Sequence, residues 1–225
     1  TARDIQPGRC YDFDGVNDYV SFTSVDYAGA FDVSVYCKVD SFSNAPTIVG
    51  GSGNDNIIFG TGGLLRVRID GTYYDSTFTA STGVVYKIEI SRDSSNNITY
   101  TVNDAVINTV SGATGTLTLQ YFGARTIGSQ FFDGKMWDLQ LSNHIHFKCD
   151  ESAGTTAYDS SGNGNNGTIT NATLGTFHAT DDGVSKSWQN DVGYTDSSGT
   201  LIPRDESDIT KDATGAALQY SGNVP

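Results

Sequence analysis

Two short segments combine acidic, amide and glycine residues in a pattern that suits cation binding. They span Tyr11–Phe22 and Asp159–Ile169. The oxygen donors are Asp14 and Asp18 in the first segment, and Asp159, Asn163 and Asn165 in the second. Calcium takes six to eight oxygen ligands from such groups, so the sequence predicts that Ca²⁺ could be held at either segment. The alternative is that Asp, Asn and Gly simply form tight turns between strands.

The histidines offer a weaker metal pattern. His144 and His146 are two residues apart on a predicted strand, a spacing that can bind transition metals. No acidic or thiolate partner is evident on that face, because Cys149 should point the other way. We therefore interpret both as ordinary strand residues.

Paired carboxylates for glycoside hydrolysis are missing from the pattern. The glutamates, Glu89, Glu151 and Glu206, are far apart, and no two of them share a predicted strand. Asp12 and Asp14 are the nearest substitute, but they lie beside a turn. Glycosidases need two carboxyl groups flanking the scissile bond. The sequence thus favours a protein that is not an enzyme.

Several aromatic residues stand at positions where they could stack on sugar rings: Tyr73, Tyr74, Tyr121, Phe131 and Phe132. We take Tyr73, Tyr74, Tyr121 and Phe131 as candidate ligand-binding residues. Alternation along a strand should turn one residue of each adjacent pair into the core, so about half of this set is expected to be buried.

The segments that must position these residues are short runs of alternating apolar and polar residues between turns. Leu65, Val67 and Ile69 alternate with arginines, and similar runs recur from Tyr11 to Leu141. Such runs indicate half-buried antiparallel strands. With no helical stretch between them, they predict an all-β sandwich or jelly roll of two antiparallel sheets. The same alternation predicts that Cys37 and Cys149 are buried.

Composition limits the partners. The chain of 225 residues carries 26 Gly, only 17% charged residues and a net charge of −13, with a pI of about 4.3. Such a surface repels nucleic acid and anionic lipid. No apolar run is long enough to span a bilayer, so neither nucleic acid nor membrane insertion is expected. Three cysteines fit assembly in a reducing compartment. The chain begins at Thr1, which suggests processing or a fragment.

From Gly8 to Phe177 the chain resembles the laminin-G-like domains of the concanavalin A-like jelly-roll superfamily. The resemblance is carried by the two acidic segments and by three predicted strands: Phe31–Val39, Tyr86–Asp93 and Phe132–Leu141. Tyr36 and Tyr86 stand where relatives often have Trp. The resemblance implies a binding module that often holds calcium at the sandwich rim. The glucan-cutting enzymes of the superfamily carry paired acids on one strand, which this chain lacks.

One segment departs from the usual order. In many relatives the acidic, Gly-rich turn comes first, whereas here His146–Asp159 follows the closing strand. Either it supplies terminal strands to the same sandwich, or it begins a second unit. Too few residues remain for a second full sandwich.

The last part of the chain has a different composition. We predict a jelly-roll domain at residues 1–178 and an extended acidic arm at residues 179–225, which has few apolar residues and no strand period. Large apolar residues remain at Trp188, Tyr194, Leu201, Ile202 and Tyr220. They predict that the arm anchors on a neighbouring subunit, within a homo-oligomer. Segments 202–208 and 218–222 resemble virion proteins of tailed bacteriophages.

Three functions follow from these observations. The first is a non-enzymatic virion surface module on a phage tail or capsid, made in the host cytoplasm, that binds host glycans or neighbouring virion subunits. The second is a purely structural protein that decorates or stabilises a capsid. The third is a glycoside hydrolase or lyase of the same fold.

Overall fold

A computed structural model describes residues 8–51, 55–126 and 128–177, together with 194–195, 201–202, 209–211 and 218–220. The described residues contain strands and turns and no α-helix. Sheet A is built from β1 (Gly8–Asp14), β3 (Phe31–Val39), β8 (Val85–Arg92), β9 (Ile98–Val102), β10 (Ala105–Val110), β12 (Asp133–Leu141), β13 (Ile145–Phe147) and β16 (Thr173–Phe177). Sheet B is built from β2 (Tyr19–Tyr27), β4 (Thr47–Gly50), β5 (Asn56–Phe59), β6 (Leu64–Ile69), β7 (Thr72–Thr79), β11 (Leu117–Phe122), β14 (Thr156–Ala157) and β15 (Gly167–Thr170).

The strand order is that of a jelly-roll sandwich. Sheet A runs β10-β9-β8-β3-β12-β1-β16, with β13 also paired to β12, and sheet B runs β14-β15-β2-β11-β4-β5-β6-β7. All of these pairings are antiparallel. The predicted fold class, all-β with two antiparallel sheets, is confirmed.

Alternation along each strand fills the space between the sheets. On β3, Phe31, Val33, Val35, Cys37 and Val39 are buried, while the residues between them reach the outer face. The densest part of the core is aromatic. The ring of Phe13 lies edge-on to Phe122 at 5.6 Å and to Phe132 at 6.0 Å between centroids. Each fully buried side chain of this size stabilises the fold by about 1.5–3 kcal/mol.

All three cysteines are buried thiols, and none of them forms a disulfide. The prediction that Cys37 and Cys149 are core residues is confirmed. Burial raises the pKa of the Cys37 thiol to about 12, so it stays protonated at neutral pH. A buried, protonated thiol is a small apolar group rather than a nucleophile.

The segment after β12 belongs to the same sandwich. Strand β13 pairs with β12, β14 and β15 extend sheet B beside β2, and β16 pairs with β1. The buried Tyr11 hydroxyl donates to Glu151 Oε2 at 2.6 Å, across 140 residues of chain. Of the two alternatives for His146–Asp159, the structure shows that it supplies strands to the same sandwich.

The chain divides into two compact units, residues 1–183 and residues 184–225. In the second unit, β17 (Tyr194–Thr195) pairs with β18 (Leu201–Ile202), and β19 (Ile209–Lys211) pairs with β20 (Leu218–Tyr220). The predicted boundary between residues 178 and 179, and Trp188, lie outside the described residues. The partner-binding role of the arm stays a prediction. In the described part of the chain, no helix is long and apolar enough to cross a membrane.

Candidate functional site

The first acidic segment forms the turn between β1 and β2. Asp14 Oδ1 accepts a hydrogen bond from the Val16 amide at 2.8 Å, and Asp18 Oδ2 accepts one from the Asp14 amide at 2.8 Å. Gly15 at the bend has φ of 75°, which favours glycine. Asp18 is 3% exposed, and burial is the main reason that its pKa is raised. The two carboxylates therefore stabilise the turn itself through local hydrogen bonds.

The second acidic segment forms a tighter loop around one carboxylate. Asp159 Oδ1 accepts from the His146 and Ser161 amides at 3.0 and 2.9 Å, and Oδ2 accepts from the Asn165 amide at 2.9 Å and from the Ser161 hydroxyl. Burial acts to raise the pKa of Asp159, but these hydrogen bonds outweigh it, and the pKa is lowered. Both oxygens are thus satisfied by protein donors.

The side-chain amides of Asn163 and Asn165 in this loop face the turn before β13. Asn163 and Asn165 each donate through Nδ2 to the His144 carbonyl, at 3.2 and 2.9 Å. The structure therefore brings Asp159, Asn163 and Asn165 together in one loop, whereas Asp14 and Asp18 form a separate turn. Among the described residues, no group of three or more His, Cys, Asp or Glu side chains could hold a metal ion. Calcium binding by carboxylate, amide and carbonyl oxygens stays a prediction.

The two histidines differ from the sequence interpretation. His144 lies in the turn before β13, not on the strand, and its ring packs edge-on to Tyr27 at 5.4 Å. His146 is on β13, and its Nε2 lies 2.7 Å from Asp138 Oδ1. An acidic partner therefore exists where the sequence showed none. Asp138 sits in the irregular part of β12, with φ of 54°, so strand alternation did not reveal its direction.

The candidate aromatic residues on sheet B already have protein neighbours. Tyr73 is 40% exposed, but the Arg66 guanidinium lies 4.1 Å from its ring centroid. Tyr121 packs edge-on to Tyr19 at 5.9 Å, and the Tyr74 hydroxyl donates to the Gly112 carbonyl at 3.4 Å. The predicted sugar-stacking role of Tyr73, Tyr74 and Tyr121 stays untested.

Phe131 corrects the sequence analysis. It is 7% exposed and its neighbour Phe132 is fully buried, so neither ring of this pair offers a face to solvent. The expectation that one of the two points outward was wrong. Both residues lie at the end of the connection between β11 and β12. Within this connection the backbone of Arg125 packs over Gly50, so the connection covers part of the outer face of sheet B.

A concave, polar surface lies on the solvent face of sheet A and was not found from the sequence. Its cavity volume is about 290 Å³. The polar lining side chains are Asp32, Ser34, Glu89, Ser91, Thr101, Gln140 and Ser142, contributed by β3, β8, β9, β12 and the turn that follows β12. We call this the sheet A cavity. Each strand contributes one to two outward positions, so no single stretch of sequence carries the signal.

Backbone pairing fixes the positions of these side chains. Ser34 is opposite both Glu89 and Gln140, which places the three side chains in one row across β8, β3 and β12. Asp32 is held by Ser142, whose amide donates to the Asp32 carbonyl at 2.7 Å. Such cross-strand rows keep neighbouring side chains within about 5.5 Å.

The lining contains hydrogen-bonding groups that the described part of the chain does not engage. No described residue forms a side-chain hydrogen bond with the Asp32 carboxylate or the Gln140 amide, whereas Glu89 forms an ion pair with Lys87 at 2.5 Å. One row further along β3, Tyr36 stacks on Trp137 with 5.5 Å between centroids and 9° between planes. An open acceptor, an open amide and several hydroxyls suit a polyhydroxylated ligand.

Comparison with known proteins identifies the fold. No family model matches the chain, and no curated protein matches it. A solved structure of a proposed carbohydrate-binding protein from Bacteroides ovatus superposes with a TM-score of 0.63 at 19% identity, over 78% of this chain and 61% of that one. This chain has a concanavalin A-like jelly-roll fold. It spans about three fifths of the length of the Bacteroides structure.

Two further structures superpose less closely. A heptameric pentraxin from Limulus polyphemus gives a TM-score of 0.48 at 12% identity, over 62% of this chain and 77% of that one. Domains LG4-5 of the mouse laminin α1 chain give 0.43 at 16% identity, over 61% of this chain and 41% of that one.

Proposed function

We propose that this protein is a non-enzymatic carbohydrate-binding module and that its site is the sheet A cavity. The observation that carries the proposal is the row of polar side chains that backbone pairing brings to one concave surface, in which the Asp32 carboxylate and the Gln140 amide bond to no described residue. The likeness in fold to a proposed carbohydrate-binding protein supports it.

The chemistry of the cavity matches sugar hydroxyl groups. The Asp32 carboxylate accepts hydrogen bonds from two adjacent hydroxyls, and the Gln140 amide both donates and accepts. A hydrogen bond to a charged group contributes about 1.5–3 kcal/mol when the partner is otherwise unpaired. The volume of about 290 Å³ lies at the low end of the range of ligand sites, so the cavity fits one end of a saccharide.

The cavity suits binding better than hydrolysis. It contains two carboxylates, Asp32 and Glu89, but Glu89 is engaged by Lys87. The general acid of a glycosidase typically lies in an apolar pocket that keeps it protonated, whereas both carboxylates here lie on an open polar face. Asp12, the other acid considered from the sequence, is paired with Lys135.

The test is binding of the purified protein to a broad glycan array, followed by titration of the strongest ligand. Asp32→Asn should weaken binding by about 10- to 100-fold, because it removes a hydrogen bond to a charged group, and Gln140→Ala by about 2- to 10-fold, because it removes a neutral one. Asp150→Asn, which removes an exposed carboxylate elsewhere, is the matched control and should bind like the wild type. If no glycan binds, the structural alternative stands; if reducing ends are released, the hydrolase alternative stands.

We propose further that the module is carried on a bacteriophage particle, where it contacts host glycans or neighbouring virion subunits. The support is the resemblance of segments 202–208 and 218–222 to phage virion proteins. Mass spectrometry of purified particles from the phage that encodes the chain should detect it at a fixed ratio to the major capsid protein. Its absence from purified particles would refute the virion assignment and leave glycan binding untouched.

A further inference from the structure

The charged side chains that line the sheet A cavity are both acidic, Asp32 on β3 and Glu89 on β8. The other polar side chains of the lining are hydroxyls and one amide, which carry no charge. The whole chain has a net charge of −13, so its overall field has the same sign. The cavity therefore presents a negative surface to a ligand.

Backbone pairing places the two carboxylates close together. Asp32 is opposite Ser91, and Ser34 is opposite Glu89, so Asp32 and Glu89 are diagonal neighbours on adjacent strands. Diagonal neighbours of this kind start about 7–8 Å apart, a separation that long side chains can bridge. A small cationic group between them can contact both carboxylates.

The adjacent lysine does not balance these carboxylates. Lys87 lies 2.5 Å from Glu89 Oε1 and 3.2 Å from the Asp104 carboxylate, so two acids share one ammonium group. A carboxylate has two oxygens with about four acceptor sites, so a single lysine does not saturate Glu89. Asp32 is exposed and forms no ion pair with a described residue. The cavity thus keeps acceptor capacity for a further cation.

Two other basic residues are close to the cavity in strand register. Arg92 ends β8 but points into the core, where it donates hydrogen bonds to backbone carbonyls. His146 is opposite Gln140 on β13, and its Nε2 lies 2.7 Å from Asp138 Oδ1. Each is therefore engaged by groups other than the two carboxylates of the cavity.

We infer that the sheet A cavity selects a saccharide with a primary ammonium group, an amino sugar such as glucosamine, and that Asp32 and Glu89 bind this group. The inference rests on the proposed function, glycan binding in the same cavity, and adds the class of sugar. An ammonium group has three donors and a full charge, so it gains more from two carboxylates than a hydroxyl does. Ser34, Ser91 and Gln140 are placed to bond the hydroxyls beside it. N-acetylation removes the charge of the amine, and an acidic sugar would be repelled.

The test compares the β-1,4-linked trisaccharides of glucosamine, N-acetylglucosamine and glucose, which differ only in the group at C2. Each is titrated calorimetrically into the purified full chain at about pH 6, where Asp and Glu are ionised and the sugar amines are protonated. The glucosamine trimer should bind at least about tenfold more tightly than either of the other two. Added salt should reduce this preference, because the charge contact lies on an open face.

Substitutions then assign the preference to the carboxylates. Glu89→Gln should weaken binding of the glucosamine trimer at least about threefold more than binding of the glucose trimer. Lys87→Gln removes the competing cation, so it should strengthen binding of the glucosamine trimer by about 1.5- to 5-fold and not that of the glucose trimer. Lys148→Gln, which removes an exposed positive charge outside the cavity, is the matched control and should change neither.

Four results would count against the inference. Equal or tighter binding of the glucose or N-acetylglucosamine trimer would overturn it and leave glycan binding in the cavity intact, as would binding of other glycans but not of the glucosamine trimer. A preference for the glucosamine trimer that Glu89→Gln leaves unchanged would overturn the role of the carboxylates. Equal affinity for trilysine would overturn the assignment to a sugar. If no glycan of any kind binds, the proposed function fails together with the inference.

Discussion

Arg92 gives the sharpest prediction about stability, because it is a fully buried cation whose hydrogen bonds to described residues all go to backbone carbonyls. It is 1% exposed at the end of β8. It donates four hydrogen bonds to backbone carbonyls: Nε to Gly29 at 2.7 Å, Nη2 to Tyr27 at 2.6 Å, and Nη1 to Ala113 and Gly115 at 3.1 and 2.9 Å. Burial lowers its pKa, although not enough to remove the charge of an arginine. One side chain thus joins the β2–β3 turn to the β10–β11 connection.

Replacing Arg92→Met keeps most of the apolar volume and removes all four bonds. Each buried carbonyl left without a donor costs about 1–3 kcal/mol, and a simple sum of about 4–12 kcal/mol overestimates the loss because water can reach part of the gap. We expect a loss of about 3–5 kcal/mol in the free energy of unfolding, as for a broken buried charge interaction. For a domain of this size, 1 kcal/mol corresponds to about 2–4 °C in Tm. The melting temperature should therefore fall by at least about 6 °C.

The assay is chemical and thermal unfolding followed by circular dichroism. Arg66→Met is the matched control, since its partner Asp75 is exposed and such surface pairs contribute about 1 kcal/mol or less. Arg92→Lys should fall between the wild type and Arg92→Met, because an ammonium group reaches fewer of the four carbonyls. A Tm for Arg92→Met within 2 °C of that for Arg66→Met would refute the reasoning.

Two further predictions concern the segment that closes the sandwich. Tyr11→Phe should lower the free energy of unfolding by about 1–3 kcal/mol, because it leaves the buried Glu151 carboxylate short of one donor; a Tm equal to that of the wild type would contradict this. The pKa of Asp159 is lower in the folded state than in the unfolded state, so its ionised form stabilises the fold above about pH 4. This stabilisation is lost as the pH falls through the folded-state pKa. Asp159→Asn should therefore make the decrease of Tm at acidic pH less steep. If this loop binds calcium, adding a chelator should lower the Tm of the wild type. If the chelator changes the Tm of neither the wild type nor Asp159→Asn, the loop is stabilised by hydrogen bonding and not by calcium.

The fold was predictable because most strands have one buried face. The alternation of Leu65, Val67 and Ile69 with arginines identified β6, and the same rule identified β3 and β8. What alternation cannot give is the choice of neighbour. Strand β1 pairs with β12 and β16, whose paired residues are 119 or more positions away in the chain, and that pairing depends on long-range packing. The place of the segment after β12 was therefore open from the sequence.

The site was harder to predict because it is an outer surface. Polar residues at outward positions, such as Ser34 and Gln140, look like any solvated strand face until the strands are placed side by side. Predicting burial from strand alternation also assumes that only one face of each sheet is covered. It failed at Phe131 and Phe132, both of which are buried, next to a connection that covers part of the outside of sheet B. The stacking of Arg66 and Arg68 on Tyr73 involves a neighbouring strand, so one strand's sequence could not show it.

The same alternation explains why binding and stability can be separated in this protein. On β8, Glu89 and Ser91 face the sheet A cavity, while Ile88, Ile90 and Arg92 face the core. A substitution at an outward position removes no core contact, and surface changes of this kind usually shift stability by less than about 0.5 kcal/mol. Asp32→Asn should therefore reduce glycan binding while leaving Tm within about 2 °C of the wild type. Arg92→Met should lower Tm but, at temperatures where the variant is folded, should bind glycans like the wild type. If Asp32→Asn lowered Tm as strongly as Arg92→Met, the carboxylate would be part of the structural framework and the assignment of the cavity as a binding site would lose its basis.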